Sequence, residues 1–133
     1  MSPAEREGAV ARMVERQTHR GPDDRGIFSG GNLTLGMCRL AIFDPANGRQ
    51  PMTTPDGRFT LVFNGAIYNH RELRAGLEAN GWSFRTRCDT EVLLAAYAIH
   101  GLECLPRLRG MFAFAVWDAR ERTVFAARDP FGI

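Results

Sequence analysis

Met111-Phe112-Ala113-Phe114-Ala115-Val116-Trp117 decides the architecture. In an extended segment Phe112, Phe114 and Val116 share one face, and Met111, Ala113, Ala115 and Trp117 share the other. Both faces are apolar, so a strand here is covered on both sides. Asp118 to Arg122 reads as a charged turn and Thr123 to Ala127 as the returning strand. Upstream, Phe59 to Phe63 reads as a strand closed by Asn64-Gly65, the strongest local hairpin signal in the chain, with Ala66 to Tyr68 as its partner. Ile27 to Ser29 and Leu33 to Ile42 read as strands around Gly30-Gly31-Asn32. Helices are expected over 4–18, over 71–80 between Asn69 as cap and Gly81 as stop, and from Asp89 or Thr90 to His100-Gly101. A short helical piece follows over 102–108. Trp82 to Arg85 reads as a short strand, and Asp44 to Gly57 as a long loop. Hairpins with helices outside sheets that face each other make an α+β chain.

A chain of 133 residues, 44% hydrophobic and 24% charged, suits one domain and excludes disordered, collagenous and mucin-like classes. Its 17 basic residues are all arginine, and they are interleaved with 15 acids. No basic stripe or tail marks a nucleic-acid partner. Cys38, Cys88 and Cys104 are widely spaced, with neither a zinc pattern nor a disulfide framework, which fits buried thiols in a reducing cytoplasm. The start, Met1-Ser2-Pro3-Ala4-Glu5-Arg6-Glu7, is too charged for a signal peptide. The longest apolar runs, such as Val92 to Ile99, are too short to span a bilayer. The expectation is a cytoplasmic protein with no nucleic-acid or membrane partner.

There is no nucleophile elbow, no phosphate loop and no metal-spaced histidine pair; His19, His70 and His100 fall in three separate elements. A set of ordered strings carries more. His19-Arg20-Gly21-Pro22-Asp23-Asp24 precedes Arg39-Leu40-Ala41-Ile42-Phe43-Asp44. Then come Phe63-Asn64-Gly65-Ala66-Ile67-Tyr68-Asn69-His70 and Asp89-Thr90-Glu91-Val92-Leu93-Leu94. Arg109-Gly110-Met111-Phe112-Ala113-Phe114-Ala115 and Ala127-Arg128-Asp129-Pro130-Phe131-Gly132-Ile133 close the set. From about Thr18 to its last residue the chain closely resembles the N-terminal class II glutamine amidotransferase (glutaminase) domain of glutamine-hydrolysing asparagine synthetases.

The resemblance implies a four-layer α-β-β-α sandwich of antiparallel sheets, of the N-terminal-nucleophile hydrolase type. It implies that a cysteine at the N-terminus attacks the side-chain amide of glutamine, with its own α-amine as base. Ammonia then passes to a covalently linked synthetase domain, which uses ATP and Mg to amidate aspartate in asparagine biosynthesis. By the same resemblance, Arg39 takes the glutamine α-carboxylate, as a guanidinium fork is suited to do. Leu40, Ala41, Ile42 and Phe43 line the site beside it. Asn64 and Gly65 supply the oxyanion hole, Ala66 follows them at the site, and Asp89 pairs with the α-ammonium. Without the strings, Arg39 reads as a solvated strand arginine, Asn64-Gly65 as a plain type I′ turn and Asp89 as a helix N-cap.

Four departures stand out. Met1-Ser2-Pro3 replaces the family's Met-Cys-Gly opening, so no catalytic nucleophile is present and the domain is expected to be partial, inactive alone, and without the synthetase domain. Cys38 is a poor substitute, because an internal residue has no free α-amine. Ala66 replaces a glutamate, and Met37-Cys38 replaces a His-Arg or His-Glu pair. The strings also end at Phe131-Gly132-Ile133, where the family continues with further strands. Missing edge strands leave room for a homodimer. No cofactor or metal is expected in these residues. The alternative keeps the fold without glutaminase activity, as in the β-lactam synthetase or lasso-peptide cyclase relatives. Other class II amidotransferases, such as amidophosphoribosyltransferases, fit the strings less well.

Overall fold

Ser2 begins the first element. Its hydroxyl accepts from the Glu5 amide while the Glu5 carboxylate accepts from the Ser2 amide, a capping box that starts α1 (Pro3–Arg16). The computed structural model describes residues 1–40 and 47–132. After α1 come β1 (Asp24–Gly30), β2 (Leu33–Arg39), β3 (Met52–Thr53), β4 (Phe59–Ile67), α2 (His70–Ala79) and α3 (Asp89–His100). A 3-10 segment (Gly101–Arg107) leads into β5 (Gly110–Asp118) and β6 (Thr123–Arg128).

Among the described residues the strand pairs are all antiparallel and fall into two sheets, β1-β2 and β3-β4-β5-β6. Helix α1 packs on β1 and β2, β2 faces β4, and α3 lies against β3 and β4 on the far side. This is the expected α-β-β-α order. The main core lies between the four-stranded sheet and α3, built on Leu61, Phe63, Ile67, Leu93, Phe112 and Phe114. A second cluster, with Leu77, Val92, Ala96 and Cys104, seals α2 against α3. Every residue of α3 from Asp89 to Ala96 is buried, the charged Glu91 included.

Three local expectations are corrected. The Asn64-Gly65 hairpin does not form: β4 runs straight through it, with Asn64 opposite Ala113 and Gly65 opposite Phe112. Long-range pairing with β5 overrides the local turn preference. Gly65 instead serves a close approach, since at φ +140° a Cβ would collide with the Met111 carbonyl oxygen. The true hairpin turn starts inside the expected long loop, where the Thr54 amide donates to the Phe59 carbonyl, the Phe59 amide donates to the Thr54 hydroxyl and the Asp56 carboxylate accepts from the Arg58 amide.

Trp82 to Arg85 forms no strand. The Arg85 and Thr86 amides donate to the buried Glu91 carboxylate, which takes the place of a neighbouring strand. Asn69 precedes α2 but makes no side-chain cap. Its amide donates to the Arg107 carbonyl, and its carbonyl accepts from the Arg109 amide, so it pins the entry to β5 instead. Ile42, the expected end of the second strand, lies outside the described residues.

Strand β5 sets the stability. Phe114 is 4% exposed, while Ala113 beside it is exposed. Phe114→Ala is expected to lower the unfolding free energy by about 3–5 kcal/mol. Ala113→Ser should change it by no more than about 0.5 kcal/mol. Urea melts of both variants check the contrast.

Candidate functional site

Strand alternation sorts two neighbours at the end of β2. Cys38 turns toward α1, and its thiol donates to the Val14 carbonyl at 2.9 Å. Arg39 takes the opposite face and is buried at 6% exposure. Its backbone is held from outside: the Asp23 amide donates to the Arg39 carbonyl, and a Cβ at Gly21 would crowd the Arg39 amide. The glycine of the His19-to-Asp24 string thus permits the chain to fold back over β2. Gly48 lies so close to the guanidinium that a Cβ there would collide with Nη2.

Arg39 and Leu40 meet Phe63, Asn64 and Gly65 of β4, and Asp89 and Thr90 of α3, around one polar cleft. Gln50 completes the described wall. The arginine thus comes from the first sheet, the amide donors from the second, and the carboxylate from the first turn of a helix. Between the described residues the cleft encloses about 10 Å³, room for roughly one water.

Asp89 is 4% exposed, and its Oδ2 accepts from the Ile67 amide at 2.9 Å. Burial pushes its carboxyl above the ordinary value, against the opposing pull of the Ile67 amide and of the nearby His70 charge. A carboxylate that is costly to ionise in an empty cleft gains most from an incoming cation. Asn64 is exposed on a continuous strand rather than at a turn. It also borders the gap between the sheets, about 290 Å³, walled by Met37 of β2 and by Val62, Ala113 and Ala115 opposite.

Of the residues expected at the site, Arg39, Leu40, Asn64, Gly65 and Asp89 come together. Ala66 is buried at 3% exposure and does not line the cleft. Ala41, Ile42 and Phe43 lie outside the described residues. Gln50, Phe63 and Thr90 were not anticipated. Phe63 and Thr90 adjoin expected residues, but nothing in the local pattern marks Gln50. Among the described residues, no cluster of His, Cys, Asp and Glu could hold a metal ion, and no helix is long and apolar enough to cross a membrane.

Two facing antiparallel sheets with helices outside, and a polar cleft between the sheets' ends, are the architecture of the N-terminal-nucleophile hydrolase fold. The arrangement is similar to a glutamine phosphoribosylpyrophosphate amidotransferase from B. subtilis, with TM-score 0.59 and 29% identity over 74% of this chain and 23% of that one. Residues 1–133 match the family model for a glutamine amidotransferase domain, and the chain belongs to that family. It is 45% identical over 130 residues to asparagine synthetase [glutamine-hydrolyzing] 1 of Bacillus subtilis, covering 98% of this chain and 21% of the relative. It is also 45% identical over 124 residues to an asparagine synthetase [glutamine-hydrolyzing] of Triphysaria versicolor, covering 93% and 21%. The chain thus spans about a fifth of the length of these curated relatives.

The raised Asp89 pKa sets the sign of a pH effect. As pH rises from the unfolded value near 3.8 through the folded one, the folded state holds more protons than the unfolded. Stability from this group is therefore full below that window and declines through it. Asp89→Asn keeps an acceptor for the Ile67 amide and removes the titration. Without ligand, its melting temperature is expected to lose this declining component relative to the parent, as measured by calorimetric scans across the acid range.

Proposed function

We propose that these residues form the glutamine-handling domain of a glutamine-hydrolysing asparagine synthetase. The observation that carries the reading is the convergence of Arg39, Asn64, Gly65 and Asp89 on one cleft from three elements distant in sequence. Each group matches one part of glutamine. Arg39 takes the α-carboxylate by charge-assisted hydrogen bonds, and Asp89 takes the α-ammonium. The side chain of Asn64 and the amide of Gly65 stabilise the oxyanion that forms at the side-chain carbonyl.

Hydrolysis requires a nucleophile that adds to the amide carbon, expels ammonia and leaves an acyl intermediate for water to cleave. The intersheet gap beside Asn64 offers room for that approach. Met1-Ser2-Pro3 holds no cysteine, and the Cys38 thiol is engaged with Val14 toward α1. These 133 residues taken by themselves are therefore expected to turn over no glutamine. Ammonia would pass to a covalently linked synthetase domain, where ATP and Mg drive amidation of aspartate in the cytoplasm. Among the described residues β1, β2, β3 and β6 are edge strands, which is compatible with a homodimer.

A second reading, a glutaminase-like domain without glutaminase activity whose cleft no longer takes the amino acid, is favoured by the narrowness of the cleft and by Ala66 in place of a glutamate. Calorimetric titration with L-glutamine separates the two. The first expects binding that Arg39→Ala or Asp89→Ala weakens by roughly one to two powers of ten, since a hydrogen bond to a charged group contributes about 1.5–3 kcal/mol. The second expects no heat of binding.

A further expectation concerns turnover. The 133-residue polypeptide should release glutamate from glutamine no faster than a protein-free control, and Cys38→Ser should leave that background unchanged. Glutamate release that Cys38→Ser abolishes would make Cys38 the nucleophile.

A further inference from the structure

Gln50 is 6% exposed and sits just before β3, far in sequence from both elements it joins. Its Oε1 accepts from the Phe63 amide at 2.6 Å, and its Nε2 donates to Thr90 Oγ1 at 3.5 Å. The backbone N–H of Phe63 can only donate, so the orientation of the Gln50 amide follows from the bond itself. Phe63 immediately precedes Asn64, and Thr90 immediately follows Asp89. One side chain therefore ties the strand that carries the amide donors to the helix that carries the carboxylate.

The need for such a tie is visible in the sheet. Strand β3 pairs with β4 only at Met52 with Leu61 and at Thr53 with Thr60. The ladder ends there, and the Gln50 side chain supplies the partner that Phe63 would otherwise lack. The backbone of Gln50 is clamped from the first sheet as well, because a Cβ at Gly26 of β1 would collide with the Gln50 carbonyl oxygen. Gln50 thus touches both sheets and α3 at the wall of the cleft.

We propose that Gln50 is a positioning residue that sets the spacing between Asn64 and Asp89, and through it the affinity for the α-amino-acid substrate. The affinity part rests on the reading of the cleft as a glutamine site. Gln50 reaches the reacting atoms only through its two neighbours. Its primary amide suits the task because it accepts on one side and donates on the other. An ionised glutamate keeps the first bond, holds Thr90 only if that hydroxyl turns to donate, and adds a buried negative charge beside Asp89, whereas a methionine of similar length loses both bonds.

The test uses the whole chain, with L-glutamine titrated by calorimetry and amide exchange and chemical shifts followed by NMR. Gln50→Met is expected to weaken glutamine at least tenfold and to speed exchange of the Phe63 amide at least tenfold. It should shift the Asn64 and Asp89 resonances together, while Ala96, on the side of α3 that packs against α2, stays in place. Gln50→Glu is expected to restore protection of the Phe63 amide without returning the Asp89 resonances to their parent positions. Affinity for Gln50→Met within twofold of the parent, or a response confined to Phe63, overturns the proposal. If the parent itself binds no glutamine, the reading of the cleft falls, and the joint shift of Asn64 and Asp89 still decides whether Gln50 couples them. Should Gln50→Met fail to fold, Thr90→Val removes the second bond alone and is expected to shift Asn64 across the cleft; an unmoved Asn64 refutes the coupling.

Discussion

Strand β4 has to be covered on both faces, and that constraint organises the molecule. Over nine residues it pairs antiparallel with β5, from Phe59 opposite Asp118 to Ile67 opposite Gly110. One face of the pair takes α3 and the main core, and the other faces β2. A sheet with two apolar faces needs a layer on each side, and the second sheet with its own helix supplies the one that α3 leaves open. Gly65 and Gly110 sit near the same end of the pairing, both at positive φ, and a side chain at either would collide with the backbone of the other strand. That close approach keeps β4 continuous where its sequence invites a turn.

The cleft is a consequence of this layering. It forms where β4 leaves the intersheet space and passes between the end of β2 and the first turn of α3. Buried polar groups there need partners, since an unpaired one costs about 1–3 kcal/mol. The observed partners do more than satisfy that need. Asp89 accepts from Ile67 and Gln50 from Phe63, so α3 and the segment before β3 are both fastened to β4 on either side of Asn64 and Gly65. A site built by such side-chain-to-backbone bonds is held from its second layer of contacts, which is what binding geometry requires.

Electrostatics separates the framework from the site. Arg58 and Asp118 form a two-point pair at 3.1 and 2.9 Å that braces the β4–β5 end away from the cleft. The Arg58 guanidinium holds the Asp118 carboxyl below its ordinary value. Asp89 is moved the other way by burial. One carboxylate has its cation in the fold, whereas the other lies buried at the wall of the cleft.

Much of this was legible from the amino acids alone. The two-faced apolar alternation of Met111 to Trp117 implied a strand sandwiched between layers, because side-chain direction alternates along any strand. The helices expected over 4–18, over 71–80 and from Asp89 or Thr90 to His100-Gly101 form at 3–16, 70–79 and 89–100, because periodicity and stop signals act within a few residues. The ordered strings also marked Arg39, Asn64, Gly65 and Asp89, and these do converge. What the chain's local pattern could not reveal depends on partners far away. Asn64-Gly65 is a turn by its neighbours and a strand by its pairing with β5; Trp82 to Arg85 is a strand by composition, yet the Trp82 amide goes to Leu77 and the Arg85 amide to Glu91. Gln50 is an unremarkable loop residue until β4 and α3 close around it, because a side-chain amide gains a role only when tertiary structure brings it one donor and one acceptor.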